Sequence, residues 1–182
     1  MNEKRNTCGQ AYALTVLTPI LEGRERTLAR LLDAFGGGDE SPLAKVAGTH
    51  FARWVVMNDI VYEGNGQRRD HLRSGQLLFT SNFDGPVEPY LEVLRAGLGE
   101  TSDAVWGLCA GYPGHADAGA FARYLRSHQV ESALFFAAYG GRTVEQVTRS
   151  LALRREVIQF ALGTQGMGAD RLQEAFREAF PA

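Results

Sequence analysis

The sequence predicts an α+β domain whose elements follow the order β-α-β-β-α-β. Segments rich in β-branched and aromatic residues alternate with segments in which leucines recur at helical spacing. Glycine and proline residues separate these segments. The chain has 182 residues, of which 45% are hydrophobic and 22% are charged, so it is long enough to bury one core of this kind.

The first strand and the first helix follow one another near the start of the chain. Residues 11–20, AYALTVLTPI, are rich in β-branched residues and are interrupted by Pro19, which is typical of a strand end. Apolar residues then recur at the spacing of one helix face, at Leu28, Leu31, Leu32 and Phe35. The three glycines at 36–38 end this predicted helix.

Two further strands and a second helix complete the first half of the pattern. Residues 50–57 and 76–85 alternate in the manner of strands, and the polar segment 58–74 between them reads as a long hairpin loop. Pro86 suits a first helical turn. The apolar stripe that follows at helical spacing consists of Val87, Tyr90, Leu91, Leu94 and Leu98.

The remaining strand has two candidates, AVWGLC at 104–109 and SALFFAAY at 132–139. We favour 132–139, because it is the longer apolar run and two glycines bound it. The order then matches a ferredoxin-like sandwich. The predicted divisions are a flexible N-terminus at 1–10, a domain at 11–162 with an inserted segment at about 104–130, and a C-terminal helical extension at 163–182. Helices are expected at 118–127, from the capping box at Thr143 onward, and at 169–180.

Both faces of the central strands carry apolar residues. Helices cover one face of such a sheet, so the other face must be covered by a second subunit or by a bound ligand. We therefore expect a homodimer whose sheets face one another, or a small-molecule cavity over the sheet. The net charge of −2 gives no reason to expect nucleic acid as a partner.

No apolar run approaches the length of about 18 residues that a membrane helix needs, and the first ten residues lack the apolar region of a signal peptide. We therefore expect a cytoplasmic protein without a membrane partner. Cys8 and Cys109 lie far apart and form no CxxC pair, so we expect plain thiols.

The element order resembles that of the dimeric α/β-barrel superfamily, which includes small monooxygenases, chlorite-dismutase-like haem proteins and dye-decolorizing peroxidases. Residues 82–85, Asn-Phe-Asp-Gly, are similar to the glycine-and-aspartate turn of those peroxidases, although the leading glycine is replaced. This resemblance implies a small-molecule oxidoreductase of haem peroxidase or monooxygenase type, with Asp84 as the catalytic acid/base beside haem. Without it, Asp84 ends a strand and caps a helix.

Five other residues are candidates for such a site. His50 could bind iron or carry protons, and Arg53 could stabilise an anion. Residues three apart in a strand point to opposite faces, so these two share a cavity only if a bulge separates them, whereas His50 and Trp54 share a face. His128 is either the axial metal ligand of haem or a helix cap.

Arg142 follows two glycines before a helix, where it either holds an anion or belongs to a plain turn. Two other functions remain open at this point. One is a cofactor-free small-molecule binding or accessory protein with an aromatic cavity. The other is a non-catalytic oligomerisation module whose sheet face is buried in a partner.

Overall fold

A four-stranded antiparallel sheet is the central feature of the structure, a computed structural model that describes residues 3–61, 64, 66 and 71–181. Its strands are β1 (Thr7–Cys8), β2 (Ala11–Pro19), β3 (Thr49–Met57) and β4 (Gln76–Asp84). They lie in the order β1-β2-β4-β3. The three long strands confirm the sequence prediction. Part of the predicted loop at 58–74 lies outside the described residues.

Four helices pack on one face of this sheet: α1 (Glu25–Asp33), α2 (Val87–Leu98), α3 (Glu100–Trp106) and α4 (Ala118–Ser127). Alternate side chains of β2, at Tyr12, Leu14 and Val16, lie in one core with residues of all four helices. The α+β class is therefore confirmed. Because side chains alternate along a strand, the intervening residues of β2 face away from the helices. We call that side of the sheet the open face.

The prediction of a fourth long strand at 132–139 was wrong, because none of these residues forms a strand. The edge of β2 beside which it would lie is taken by β1 and by a single bridge between Val16 and Gln129. β1 reaches β2 through a tight turn in which Gly9 has a φ of +63°. Such a local hairpin closes a far shorter loop than residues 132–139 would. The rejected candidate at 104–109 begins within α3.

The chain divides into two units, Met1–Thr143 and Val144–Ala182. The second unit contains α5 (Val144–Gly163) and α6 (Ala169–Ala179). The rings of Phe160, Phe176 and Phe180 hold these helices together, with centroids 5.1 to 5.8 Å apart. Thr7 and Cys8, predicted as part of a flexible N-terminus, pair with β2.

Candidate functional site

The open face of the sheet forms a groove of about 510 Å³ across its three long strands. Thr15 of β2 and Thr80 and Asn82 of β4 line it, together with Phe51 and Arg53 of β3. Phe51 is 76% exposed, whereas the threonines and Asn82 are half-buried. The groove therefore combines an apolar wall with hydroxyl, amide and guanidinium groups.

A β-bulge determines which side chains reach this groove. Thr49 lies opposite Phe83 but Phe51 lies opposite Asn82, so His50 is an additional residue in β3. The bulge meets the condition under which His50 and Arg53 share a face. His50 now lies on the open face beside the end of β4, and Arg53, opposite Thr80, lies on the same face.

His50 and Asp84 form a hydrogen-bonded pair, which we call the sheet dyad. His50 Nε2 lies 2.9 Å from Asp84 Oδ1, and the two side chains are 20% and 18% exposed. An ionised carboxylate can only accept a hydrogen bond, so Nε2 carries the proton and donates it. The lone pair of the neutral ring is then on Nδ1, for which no hydrogen bond is formed among the described residues.

Three hydroxyl groups on the helix-covered side of the sheet form hydrogen bonds next to the bulge. Tyr90 of α2 places its hydroxyl 2.9 Å from Thr49 Oγ1 and 2.6 Å from Ser81 Oγ. We call these three residues the tyrosine network. Burial raises the pKa of Tyr90, and the hydrogen bonds with Ser81 and Thr49 offset part of the rise. The Tyr90 ring also stacks on Phe83, with centroids 3.5 Å apart.

Tyr90 was predicted only as part of the apolar stripe of α2, and its hydrogen bonds were not foreseen. Thr49 directly precedes His50, and Phe83 directly precedes Asp84. The network therefore contacts the neighbours of both members of the sheet dyad. An available signal was the alternation of β4, where a serine falls among the core positions between Phe79 and Phe83.

The cation of the open face is Arg53. It is exposed, and no carboxylate lies within ion-pair distance of it in the part of the chain that is described. A guanidinium group presents several N–H donors in a fixed plane, which suits carboxylates and similar anions. The groove therefore has an anion-binding group on the same face as the sheet dyad.

The structure separates Trp54 from this site, which corrects the expectation that it shares a face with His50. Trp54 lies opposite Phe79 on the core side, and its ring centroid is 5.8 Å from that of Trp106. The bulge is the reason, because one additional residue between Thr49 and Phe51 reverses the alternation on which the expectation rested.

His128 lies at the other end of β2. It caps α4, its Nδ1 is 2.9 Å from the Tyr124 carbonyl oxygen, and its own carbonyl accepts from Leu17 N–H. Asp84 instead pairs with Ala11. Six residues of strand separate the two positions on β2, a distance of about 20 Å. His128 and Asp84 are therefore not brought together.

Arg142 is exposed in the turn that follows Gly140. Its main-chain N–H donates to the Tyr139 carbonyl oxygen at 2.9 Å. That amide is therefore engaged within the turn, and the structure supports only the side chain of Arg142 as a group for an anion. Across residues 3–61, 64, 66 and 71–181, no group of three or more histidine, cysteine, aspartate or glutamate side chains could hold a metal ion.

Comparisons with known proteins give no further assignment. A scan against protein-family models, a search of curated proteins and a search of solved structures each found no match to this chain. Among the described residues, no helix combines the length and the apolar character that crossing a bilayer requires. The site is therefore interpreted from its own geometry.

Proposed function

We propose that this chain is an enzyme that moves a proton to and from a small organic anion bound on the open face of its sheet. The β-bulge at His50 carries the proposal, because it brings the sheet dyad and Arg53 to one face beside the groove. An acid/base group, a cation and a cavity are the three components that such a reaction needs.

His50 is the group that exchanges the proton. Its Nδ1 takes a proton from a C–H or O–H bond of the ligand, and the electron pair of that bond stays on the ligand. Asp84 accepts the hydrogen bond from Nε2, keeps the ring in this tautomer and stabilises the imidazolium that forms. General base catalysis of this kind contributes about 10² to 10⁴ in rate.

Arg53 binds the anionic group of the ligand. Its fork of N–H donors can bind a carboxylate at two points, and the charge also stabilises negative charge that develops when the proton leaves. Asn82 and Thr80 supply neighbouring hydrogen-bonding groups, and Phe51 supplies an apolar surface. The ligand class is therefore a small carboxylate or related anion with an apolar substituent.

The haem peroxidase or monooxygenase expected from the resemblance needs an imidazole that faces Asp84 across the cavity. Of the described histidines, His50 lies on this face but is bonded to Asp84 itself, and His128 lies about 20 Å along β2. These residues do not fit haem in the groove, and we assign no step to it. The homodimer through the sheet face stays a prediction and is the alternative to a ligand on that face, because it would cover the groove.

The proposal is tested by deuterium exchange at the acidic C–H of phenylpyruvate in D₂O, followed by proton NMR. Phenylpyruvate offers a carboxylate to Arg53, a ring to Phe51 and an acidic C–H to His50. We expect the wild-type protein to accelerate the exchange, His50→Gln to reduce the acceleration by about 10² or more, and Arg53→Gln to weaken binding.

Matched controls lie on the helical side of the same unit. His115 forms a 2.7 Å pair with Asp103, so His115→Gln removes another histidine–aspartate pair, and Arg30→Gln removes another exposed arginine. Both controls should behave as wild type. Binding without exchange would favour the cofactor-free binding protein, and a stoichiometric Soret band on titration with haemin would overturn our exclusion of haem.

A further inference from the structure

The strand-like segment 133–137, Ala-Leu-Phe-Phe-Ala, pairs with no strand among the described residues. No main-chain group of residues 133–136 takes part in a hydrogen bond within the described chain. Phe135 is half-buried, whereas its neighbours Leu134 and Phe136 are 88% and 78% exposed. This alternation is that of a strand with one face against its own protein and one face in solvent.

The ends of this region are hydrogen-bonded to β2 and to residues on either side of β1. Val130 N–H donates to the Thr15 carbonyl oxygen at 2.8 Å, and Ser132 N–H donates to Asn6 Oδ1 at 2.9 Å. At the far end, Gly140 accepts a hydrogen bond from Gln10 N–H. The main chain is therefore hydrogen-bonded on both sides of segment 133–137, and the side chains of Leu134 and Phe136 between these points are exposed.

We infer that segment 133–137 is an interface between two copies of this chain, in which the two segments pair as antiparallel strands about a twofold axis. Unpaired N–H and C=O groups in a row form a template for another strand. Pairing with a second copy supplies the partner that the strand-like sequence lacks within one copy.

The segment is complementary to itself. With Phe135 on the axis, Leu134 lies opposite Phe136 of the partner subunit, and Ala133 lies opposite Ala137 of the partner subunit. Residues 132–141 contain no charged side chain, so no like charges oppose one another across the axis. A twofold contact of this kind closes at two copies and leaves no segment free for a third.

The exposed area agrees with a small dimer interface. Leu134, Phe136 and Tyr139 are 88%, 78% and 79% exposed, which corresponds to about 500 Å² of apolar surface at the usual size of such side chains. Complete burial of these side chains in two copies would remove about 1,000 Å² from solvent, the lower limit for a specific contact. The edge strand β3 carries a bulge and the exposed Arg53, which discourage strand pairing between copies there.

Sedimentation velocity of the full chain over a wide range of concentrations tests this inference. We expect wild type to reach a mass of twice 19.9 kDa and Phe136→Glu to remain at 19.9 kDa, because the new carboxylates would lie in an apolar interface. The matched control is Phe51→Glu, which changes a phenylalanine of similar exposure, 76%, on the open face. It should dimerise as wild type does.

Hydrogen exchange provides a second measurement, because every second amide of 133–137 bonds to the partner strand in an antiparallel pair. These amides should be protected in wild type and exchange rapidly in Phe136→Glu. Leu134→Glu should reproduce the loss of dimer, and circular dichroism verifies that each variant is folded. A monomeric wild type at every concentration, or a dimer that survives both glutamates, would overturn the inference. Dissociation by Phe51→Glu alone would also overturn it and would place the contact on the sheet face.

Discussion

Replacing Tyr90 by phenylalanine removes one hydroxyl group and keeps the ring that stacks on Phe83. The hydroxyl is shared by Ser81 at 2.6 Å and Thr49 at 2.9 Å. Ser81 is 1% exposed, so water cannot replace the lost partner. Thr49 is half-buried and can turn to solvent. The main cost of the substitution is therefore a buried serine hydroxyl without a hydrogen bond.

Such an unsatisfied buried group costs about 1 to 3 kcal/mol. We expect Tyr90→Phe to lower the free energy of unfolding by about 2 kcal/mol and Ser81→Ala to lower it by about 1 kcal/mol, because the Tyr90 hydroxyl then keeps its hydrogen bond with Thr49. The double variant removes both hydroxyls and leaves no buried hydroxyl without a partner, so it should cost no more than Tyr90→Phe alone and less than the sum of the two single losses. The coupling between the two positions is the quantity that the structure predicts.

Denaturant unfolding followed by tryptophan fluorescence is a suitable assay, because both tryptophans, Trp54 and Trp106, lie in the first unit. Losses that add in the double variant would refute the reasoning, since additivity means that the two hydroxyls do not satisfy one another. The same variants should shift the NMR signals of the His50 ring, because the network holds Thr49 next to the bulge.

Two further predictions concern other contacts. A Cβ at Gly140 would collide with the Cys8 carbonyl oxygen, whereas one at Gly141 meets open space. Gly140→Ala should therefore lower the free energy of unfolding, measured with denaturant, by about 1 to 3 kcal/mol, and Gly141→Ala should leave it almost unchanged. Equal losses in the two variants would contradict this. The His71 hydrogen bond holds the pKa of Asp59 at about 2, so the contact stabilises the fold above pH 3.8 and is lost as the pH falls towards 2. Carbon NMR should show the Asp59 pKa rise towards 3.8 in His71→Ala, and an unchanged value would exclude that cause.

The spacing of apolar residues within a segment was sufficient to predict the strands and helices that pack through their own apolar face. The strands β2, β3 and β4 and the helices α2 and α4 appear where the sequence predicts them. Segment 132–139 has equal strand character, but a strand also needs a free neighbour. Thr7 and Cys8 occupy the edge of β2 through a short turn, and the sequence of residues 132–139 alone does not show that this edge is occupied.

The candidate site shows the same limit at the level of single side chains. His50 and Arg53 were identified from residue type and Asp84 from the resemblance of its turn to that of the peroxidases, but which of them share a face depends on one additional residue in β3. Strict alternation excluded the pairing of His50 with Arg53 and favoured Trp54. The bulge reverses both results, and only the strand register reveals it.

A histidine–aspartate contact alone does not identify a site in this chain, since three of its four histidines make one. The pair at His71 is more exposed than the sheet dyad, at 58% and 41%. The Asp103 carboxylate, which binds His115, also accepts a hydrogen bond from Tyr112 and so fixes a turn. Burial raises the pKa of Asp103, but these hydrogen bonds lower it by more, so the pKa lies below its usual value. The pair at His50 differs because it lies on the same face of the sheet as Arg53, beside the groove that Arg53 lines. Equal exchange rates in the His50 and His115 variants would therefore remove the reason to place chemistry on the open face.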